Sequence, residues 1–388
     1  MEKPKIRFEK FNKKWQKNKL DKVVDFFDNQ RIPIDSGERK AGPYPYYGAS
    51  GIIDYVDGFI FNGEYVLLAE DGANIILRSS PIAYLSKGKF WLNNHAHIMK
   101  MKTGSNEFLL QLLEKQNYEK YNTGTAQPKL NGEVVKNITL PFPSDEEQSA
   151  IGSLFSTLDN LLASYKDNLA NYQSLKATML SKMFPKAGKT VPEIRLDGFE
   201  GEWKEKKLGE IADIVGGGTP NTNVKEYWNG EINWFSPTEV GDSIYLDTSE
   251  KRISELGLQK SSAKILPANR TILFTSRAGI GSVGIITKDS TTNQGFQSLV
   301  TKKGIDIYFL FSYSSKITRY ALKHSAGSTF LEISGKELGK MDIIIPTYDE
   351  QQTIGAYFSS LDNLINSHQE KISQLETLKK KLLQDMFI

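Results

Sequence analysis

The string EEQSAIGSLFSTLDNL, Glu146 to Leu161, returns as DEQQTIGAYFSSLDNL at Asp349 to Leu364, identical at ten of sixteen positions without a gap. At the same offset of 203, Pro143 matches Pro346, Leu175 matches Leu378, and Met183-Phe184 matches Met386-Phe387. A second repeat opens each half: PKIRFEKFNKKWQKNKL (Pro4 to Leu20) resembles PEIRLDGFEGEWKEKKL (Pro192 to Leu208) at offset 188. The chain is therefore a tandem duplication. Its ends stayed alike while the middles diverged, which suits a shared frame holding two different things. Residues 1–143 and 188–345 read as globular blocks, and residues 144–187 and 346–388 as helical ones.

Each helical block reads as one long helix. Ser144 with Glu147, and Thr347 with Glu350, have the spacing of a capping box. Steps of three and four give an apolar seam of Ile151, Leu154, Leu158, Leu161, Tyr165, Tyr172, Leu175 and Met179 in the first. In the second they give Ile354, Tyr357, Leu361, Leu364, Leu375, Leu378 and Leu382. A helix of 38–40 residues is roughly 58–60 Å long at 1.5 Å per residue. A small domain cannot cover such a stripe, so each helix is the other's natural partner. Phe155, Leu162 and Leu169, with Phe358, Ile365 and Ile372, widen the stripe and suggest a further contact. Asn168, Lys371 and His368 interrupt the seam, either as a polar layer that fixes register or as side chains reaching solvent. A pseudo-twofold relation between the halves implies antiparallel helices, and hence a rod with two unlike heads.

The blocks themselves mix short aromatic and β-branched runs with Gly, Asp and Asn turns, so the expected class is α+β with a β-rich core in each. Hydrophobic residues make up 39% and charged residues 24%, an ordinary globular balance. A net charge of +3 neither announces nor excludes nucleic acid. The absence of cysteine removes disulfides, thiolate nucleophiles and Cys-ligated metals, and suits a cytoplasmic setting. No apolar run reaches the ~20 residues of a membrane span.

Catalytic constellations do not assemble. GIGSVG (Gly279 to Gly284) fits G-x-G-x-x-G, but the strand-like IITKDS follows where a dinucleotide site needs a helix. GGGTP (Gly216 to Pro220) lacks the Gly-Lys-Ser/Thr ending of a P-loop. The histidines of NNHAH, His95 and His97, fall on one face of a strand, but zinc would need a third ligand. No metal site is expected.

Polar and aromatic loops are what remain. The first block offers Tyr46 and Tyr47 beside Gly48, then Asn94 and His95, then Thr125, Gln127 and Lys129. The second offers Thr219 and Asn221, Arg277, Asn293, Gln294 and Gln297, and Ser328. Arg, Asn and Gln make paired hydrogen bonds to purine edges, while Lys and Ser/Thr suit phosphates. These fourteen residues are the expected DNA-binding set. The run from Lys3 to Lys22 is locally basic, which on charge alone favours a solvated face.

The ordered motifs resemble the specificity subunit of type I restriction-modification enzymes. Their carriers are the openings Pro4 to Trp15 and Pro192 to Trp203; PYYGASGIIDYVDGF, EYVLLAEDGA and GTAQPKLNG; GGGTPNTNVKEYWNGEINW, SRAGIGSVGI and NQGFQSL; and P-x-x-x-E-Q-x-x-I-G-x-x-F-x-x-L-D from Pro143 and Pro346. The resemblance covers essentially the whole chain. It implies two target-recognition domains, each reading one half of a split, asymmetric site in double-stranded DNA, joined by helices that pair as an antiparallel coiled coil. It also implies a non-catalytic chain. Two modification subunits would bind S-adenosylmethionine and methylate adenine; two restriction subunits would use ATP and Mg2+. The competing expectation is a coiled-coil scaffold whose heads bind proteins.

Overall fold

Both long helices form, Asp145–Lys182 and Tyr348–Asp385, each of 38 residues. The computed structural model describes residues 3–277, 279–327 and 331–388. The chain divides into two units, one of residues 1–168 with 368–388, the other of residues 169–367. The division cuts through both helices, so each unit owns the start of one and the end of the other.

Unit 1 is built on a six-stranded sheet. Its strands are β2 (Val24–Phe26), β3 (Ala41–Gly48), β4 (Gly51–Val56), β5 (Phe61–Ala69), β6 (Ala83–Leu92) and β7 (Ala96–Met101), in the order β2-β7-β5-β6-β3-β4. All neighbours are antiparallel except β3 and β6. Outside it, β1 (Gln16–Lys19) pairs with β8 (Thr139–Phe142), bringing the chain's opening beside the entrance to the central helix. Helix α1 (Asn106–Lys115) starts where the Ser105 hydroxyl accepts the Phe108 N–H, leaving one fewer orphan donor in the first turn.

Unit 2 repeats the plan with insertions. Strand β9 (Lys204–Lys207) pairs with β18 (Asp342–Ile345), as β1 does with β8. The main sheet runs β10-β17-β14-β15-β12, where β10 is Ala212–Gly216, β12 Tyr245–Leu246, β14 Thr271–Phe274, β15 Val283–Ile286 and β17 Gln297–Thr301. A three-stranded sheet, β13-β11-β16, uses Trp228–Phe235, Lys251–Ile253 and Ser290–Thr292 as β11, β13 and β16. Helices α2 (Ile307–Ser312) and α3 (Ser314–His324) follow, α2 capped by the Asp306 carboxylate on Phe309 N–H. GIGSVG runs straight into β15 and not into a helix.

The repeated motifs build one joint twice. In unit 1 the carboxylate of Glu147, a residue 1% exposed, takes Nε and Nη2 of Arg7, both at 2.7 Å, and the Trp15 indole N–H at 3.3 Å. In unit 2 Glu350, also 1% exposed, takes Arg195 at 2.8 and 2.7 Å and Trp203 at 3.3 Å. The Arg and Trp repeated in each opening are thus the partners of the Glu in E-Q-x-x-I-G. The adjoining Gln148 and Gln351 donate to the carbonyls of Pro143 and Pro346 at 3.0 and 3.1 Å. Gly152 and Gly355 face the caps of α1 and α2, where a Cβ would meet Phe108 N and Phe309 N, each at 3.1 Å.

Two expectations are corrected here. Ser144 Oγ does accept the Glu147 N–H, but the Glu147 carboxylate does not return to close a box, because Arg7 and Trp15 hold it. The seam also runs in a different phase. Leu161, Leu175, Leu364 and Leu378 are 41–44% exposed. The inward row is Ile151, Phe155, Leu158 and Leu162 in unit 1 and Ile354, Phe358, Leu361 and Ile365 in unit 2. Both phases use three-four steps and share every second position. The larger Phe155 and Phe358 go inside, since a buried aromatic removes more apolar surface from water than the leucine or half-wet tyrosine beside it.

The polar interruptions shift with the phase. Asn168 and Lys371 are exposed, whereas His368 is half-buried with its ring 5.3 Å from that of Tyr165. Helix-to-helix ion pairs lie elsewhere. Unit 1 has Asp159–Lys379 at 2.5 Å and Lys166–Glu376 at 2.7 Å, and unit 2 has Lys176–Asp362 at 2.5 Å. Asp159 and Asp362, like Lys176 and Lys379, are copies at offset 203, and within each unit contacts that climb one helix descend the other: Asp159–Lys379 then Lys166–Glu376 in unit 1, Lys176–Asp362 then Phe184–Phe358 in unit 2, so the helices run antiparallel there.

Candidate nucleic-acid interface

Strand ends place three loops together in each unit. In unit 1 they are Glu70–Ala73 after β5, Asn93–His95 between β6 and β7, and Asn122–Leu130. The Asn93 N–H donates to Tyr47 O at 3.1 Å, and Asn93 Oδ1 accepts the His95 N–H at 2.8 Å. Glu70 N–H donates to His95 O at 2.9 Å, and Leu130 N–H to Glu70 O at 2.7 Å. Asp71 and Lys129 face each other across an antiparallel bridge.

Unit 2 draws the same frame with other residues. Asn293 N–H donates to Phe235 O at 3.1 Å, and Asn293 Oδ1 accepts the Gly295 N–H at 2.8 Å. Ser276 N–H donates to Gly295 O at 2.8 Å, and Ile333 N–H to Ser276 O at 3.0 Å. Arg277 and Glu332 form the antiparallel bridge. Position by position, Asp71 corresponds to Arg277, Asn94 to Gln294, His95 to Gly295, His97 to Gln297 and Lys129 to Glu332. The backbone is held constant while the side chains on it change in charge, size and hydrogen-bonding type.

The expected residues distribute unevenly over this frame. Asn94, His95, Thr125, Gln127 and Lys129 all lie on the unit 1 loops and are exposed. His95 Nδ1 pairs with Asp71 at 2.8 Å, and Lys129 with Glu70 at 3.4 Å. In unit 2, Asn293, exposed Gln294 and Arg277 share the frame with Thr219, whose hydroxyl donates to Gln294 Oε1 at 2.6 Å. Asn221 is exposed nearby in sequence, its carbonyl accepting the Trp228 indole N–H at 3.2 Å. Ser328 lies outside the described residues.

Three residues sit differently from their expected role. Tyr46 is buried, its hydroxyl accepting the Ile34 N–H at 2.9 Å, with the Arg39 guanidinium 4.5 Å from its ring; it holds the 32–40 loop down. Tyr47 is half-buried against Phe90, ring centroids 5.5 Å apart, and contributes its carbonyl to the frame. Gln297 turns inward, and a Cβ on Gly335 would lie 2.7 Å from its Oε1. The polar and aromatic residue types that singled out these tyrosines and this glutamine also occur in sheet interiors, so residue type alone could not separate the two.

Sequence reasoning missed what braces the unit 1 loops. Arg31 donates to Glu70 at 2.6 Å, to Ala96 O at 2.8 Å and, through Nε, to Asp28 O at 2.9 Å. Buried His97 parts company with His95: its Nδ1 meets Asp28 at 2.7 Å, and its Nε2 donates to Leu130 O at 2.7 Å. Burial alone would raise the Asp28 carboxyl. The His97 hydrogen bond and charge, the Ile98 N–H and Arg31 outweigh it and hold the group below the usual carboxylate value. No motif signals Asp28 or Arg31: they face each other at only 3.9 Å, and their closer partners lie at least 39 residues away or in the backbone. Among the described residues, no cluster of three His, Cys, Asp or Glu could hold a metal ion. No described helix is long and apolar enough to cross a membrane.

The likeness to known proteins agrees with this duplicated layout. Residues 12–172 and 200–377 match the family described as Type I restriction modification DNA specificity domain. The type I restriction enzyme MjaIX specificity subunit of Methanocaldococcus jannaschii is 37% identical over 192 residues, 48% of this chain and 44% of the relative. The EcoR124I/EcoR124II specificity subunit of Escherichia coli is 33% identical over 190 residues, 47% of this chain and 46% of the relative. The chain thus spans less than half the length of these two relatives. A crystal structure of a type I restriction-modification S subunit from M. genitalium shares the fold, with TM-score 0.72 and 17% identity over 100% of this chain and 99% of that one.

Proposed function

The chain belongs to the type I restriction-modification DNA specificity family, and from that premise we propose that it is the DNA-reading subunit of such an enzyme. The observation that carries this reading is the loop frame built twice with different side chains. A specificity module needs a rigid scaffold and replaceable surface groups, and two unlike sets call for two unlike half-sites. Affinity comes from phosphates and choice from a few base-edge contacts in each unit. The helix pair sets the distance between half-sites, on the scale of a DNA turn. Methyl transfer from S-adenosylmethionine, and ATP- and Mg2+-dependent cleavage, belong to partner subunits. The exposed leucines, Leu161 and Leu378 in unit 1 and Leu175 in unit 2, give two modification subunits apolar positions to dock on.

Co-expression with modification subunits, followed by mapping of methylated adenines, tests the reading. A bipartite, asymmetric sequence with a fixed spacer is expected, and removing one heptad from each helix changes the spacer while sparing both halves. A contiguous or palindromic site, or an unchanged spacer, counts against it. Leu175→Asp with Leu378→Asp is expected to weaken assembly with modification subunits without lowering the melting temperature. The protein-binding scaffold would instead show no salt-dependent DNA affinity in that assembly.

A further inference from the structure

At the position where unit 1 carries Asp71, unit 2 carries Arg277, and their surroundings differ in a consistent way. Asp71 is occupied, since its carboxylate takes His95 Nδ1 at 2.8 Å. In unit 2 the residue corresponding to His95 is Gly295, which has no side chain to offer. Glu332 faces Arg277 across the backbone bridge, yet no ion pair joins them. Among the described residues the Arg277 guanidinium has no hydrogen-bond or ion-pair partner, while its backbone is fixed by the neighbouring Ser276 bonds to Gly295 and Ile333. A planar, permanently charged fork on a fixed backbone, without a partner among the described residues, is a group that a ligand can take. Its two parallel donors match the paired O6 and N7 acceptors that guanine alone presents in the major groove.

We propose that Arg277 reads a guanine in the half-site recognised by unit 2. Unit 1 cannot make the same contact, because the corresponding Asp71 accepts hydrogen bonds and is already held by His95. The proposal rests on the DNA-reading function above and assigns one base of one half-site. Gln294, exposed and with its oxygen tied to Thr219, stands on the adjoining loop and flanks the contact.

The test uses the full chain assembled with its modification subunits, with methylated adenines mapped for wild type, R277A and R277K. Loss of the fork should make one G·C pair in one half degenerate. Preference there should fall roughly 5- to 150-fold, the range for a bidentate base contact, while the other half stays intact. R277K should relax the same pair, since a lysine keeps the charge but not the fork. Three outcomes overturn the proposal: a uniform loss of methylation by R277A with rescue by R277K, which marks a phosphate contact; relaxation of an A·T pair; or an unchanged sequence. If R277A and R277K both lower the unfolding temperature and abolish methylation together, Arg277 is a structural residue and the proposal also falls. A wild-type assembly lacking any bipartite site would instead defeat the DNA-reading function itself, before any variant is made.

Discussion

Glu147→Gln changes two atoms' chemistry and almost no volume, and the structure says how much it should cost. The carboxylate is 2% exposed and the Arg7 side chain 14% exposed, so solvent screens the pair weakly. Both oxygens are used: two 2.7 Å bonds from Arg7 and a 3.3 Å bond from Trp15. An amide can keep one acceptor, but its NH2 then faces an Arg7 N–H, donor against donor, beside an uncompensated guanidinium. Breaking a buried pair by removing one partner costs about 3–5 kcal/mol, and the remaining oxygen puts this change at about 3. For a unit of this size each kcal/mol is about 2–4 °C, so the unit 1 transition should fall by about 6–12 °C in calorimetry. Glu350→Gln should lower the unit 2 transition by a similar amount, because its three distances repeat those of Glu147 within 0.1 Å. A loss below about 1 kcal/mol, the worth of an exposed pair, would refute the reasoning. So would two widely different losses, since the same joint would then be doing different things.

Other consequences follow from single contacts. Gly152→Ala and Gly355→Ala, normally stabilising by up to ~1 kcal/mol inside a helix, should reverse sign here and cost about 1–3 kcal/mol in denaturant melts. The new Cβ meets the cap of α1 at Ser105 Oγ, 2.5 Å away, or the Asp306 cap of α2. Asp28→Asn should cost about 1.5–3 kcal/mol near neutral pH, where the charged hydrogen bonds to His97 and Ile98 are intact. The folded Asp28 value lies below the unfolded one, so its contribution is full above about pH 4 and fades as pH falls through the folded value. Urea melts at a series of pH values should therefore show wild type and D28N converging in acid; a gap that widens on acidification would reverse the sign.

The sequence announced the duplication because its signal is local: sixteen contiguous residues on one helix, repeated without a gap and identical at ten positions. It also announced both long helices and the β-rich blocks, whose periodicities span many residues. The inward face was misread because Leu154 and Phe155 are adjacent apolar positions, and both continue a legal three-four pattern. Only the second surface, absent from a string, decides between them. The candidate interface was half-legible for a related reason. Gln127, Asn94, Gln294 and Arg277 stand on turn-rich stretches, which sequence marks well. Tyr46 and Gln297 come from the same stretches but point inward, and their fate is set by Ile34 and Gly335, 12 and 38 residues away. Arg31 and Asp28 were invisible, since a brace has no motif when its partners are backbone groups and two distant side chains, Glu70 and His97.

The exchange of helix ends carries the duplication's deepest consequence. Unit 1 is finished by Phe387, whose ring lies 5.4 Å from Phe108, 5.8 Å from Phe155 and 6.2 Å from Trp15. Unit 2 is finished by Phe184, which lies 4.7 Å from Tyr313, 5.9 Å from Phe358 and 6.1 Å from Trp203. Each core is thus closed by a residue from the other half of the sequence. A chain of residues 1–187 keeps a helix end like the one it lost, with Tyr165, Leu169, Tyr172, Lys176, Met179, Met183 and Phe184 standing for His368 through Phe387. It cannot use that end itself, because 38 helical residues hold Phe184 roughly 57 Å from the helix start. A second copy can. Residues 1–187 should therefore be a homodimer by light scattering. Phe184→Ala in that half-chain should cost about 3–5 kcal/mol per core and dissolve the dimer. In the full chain the same substitution should lower the unit 2 transition and leave unit 1, closed by Phe387, where it was. A folded, monomeric half-chain would show that the helix end is not needed to close the core.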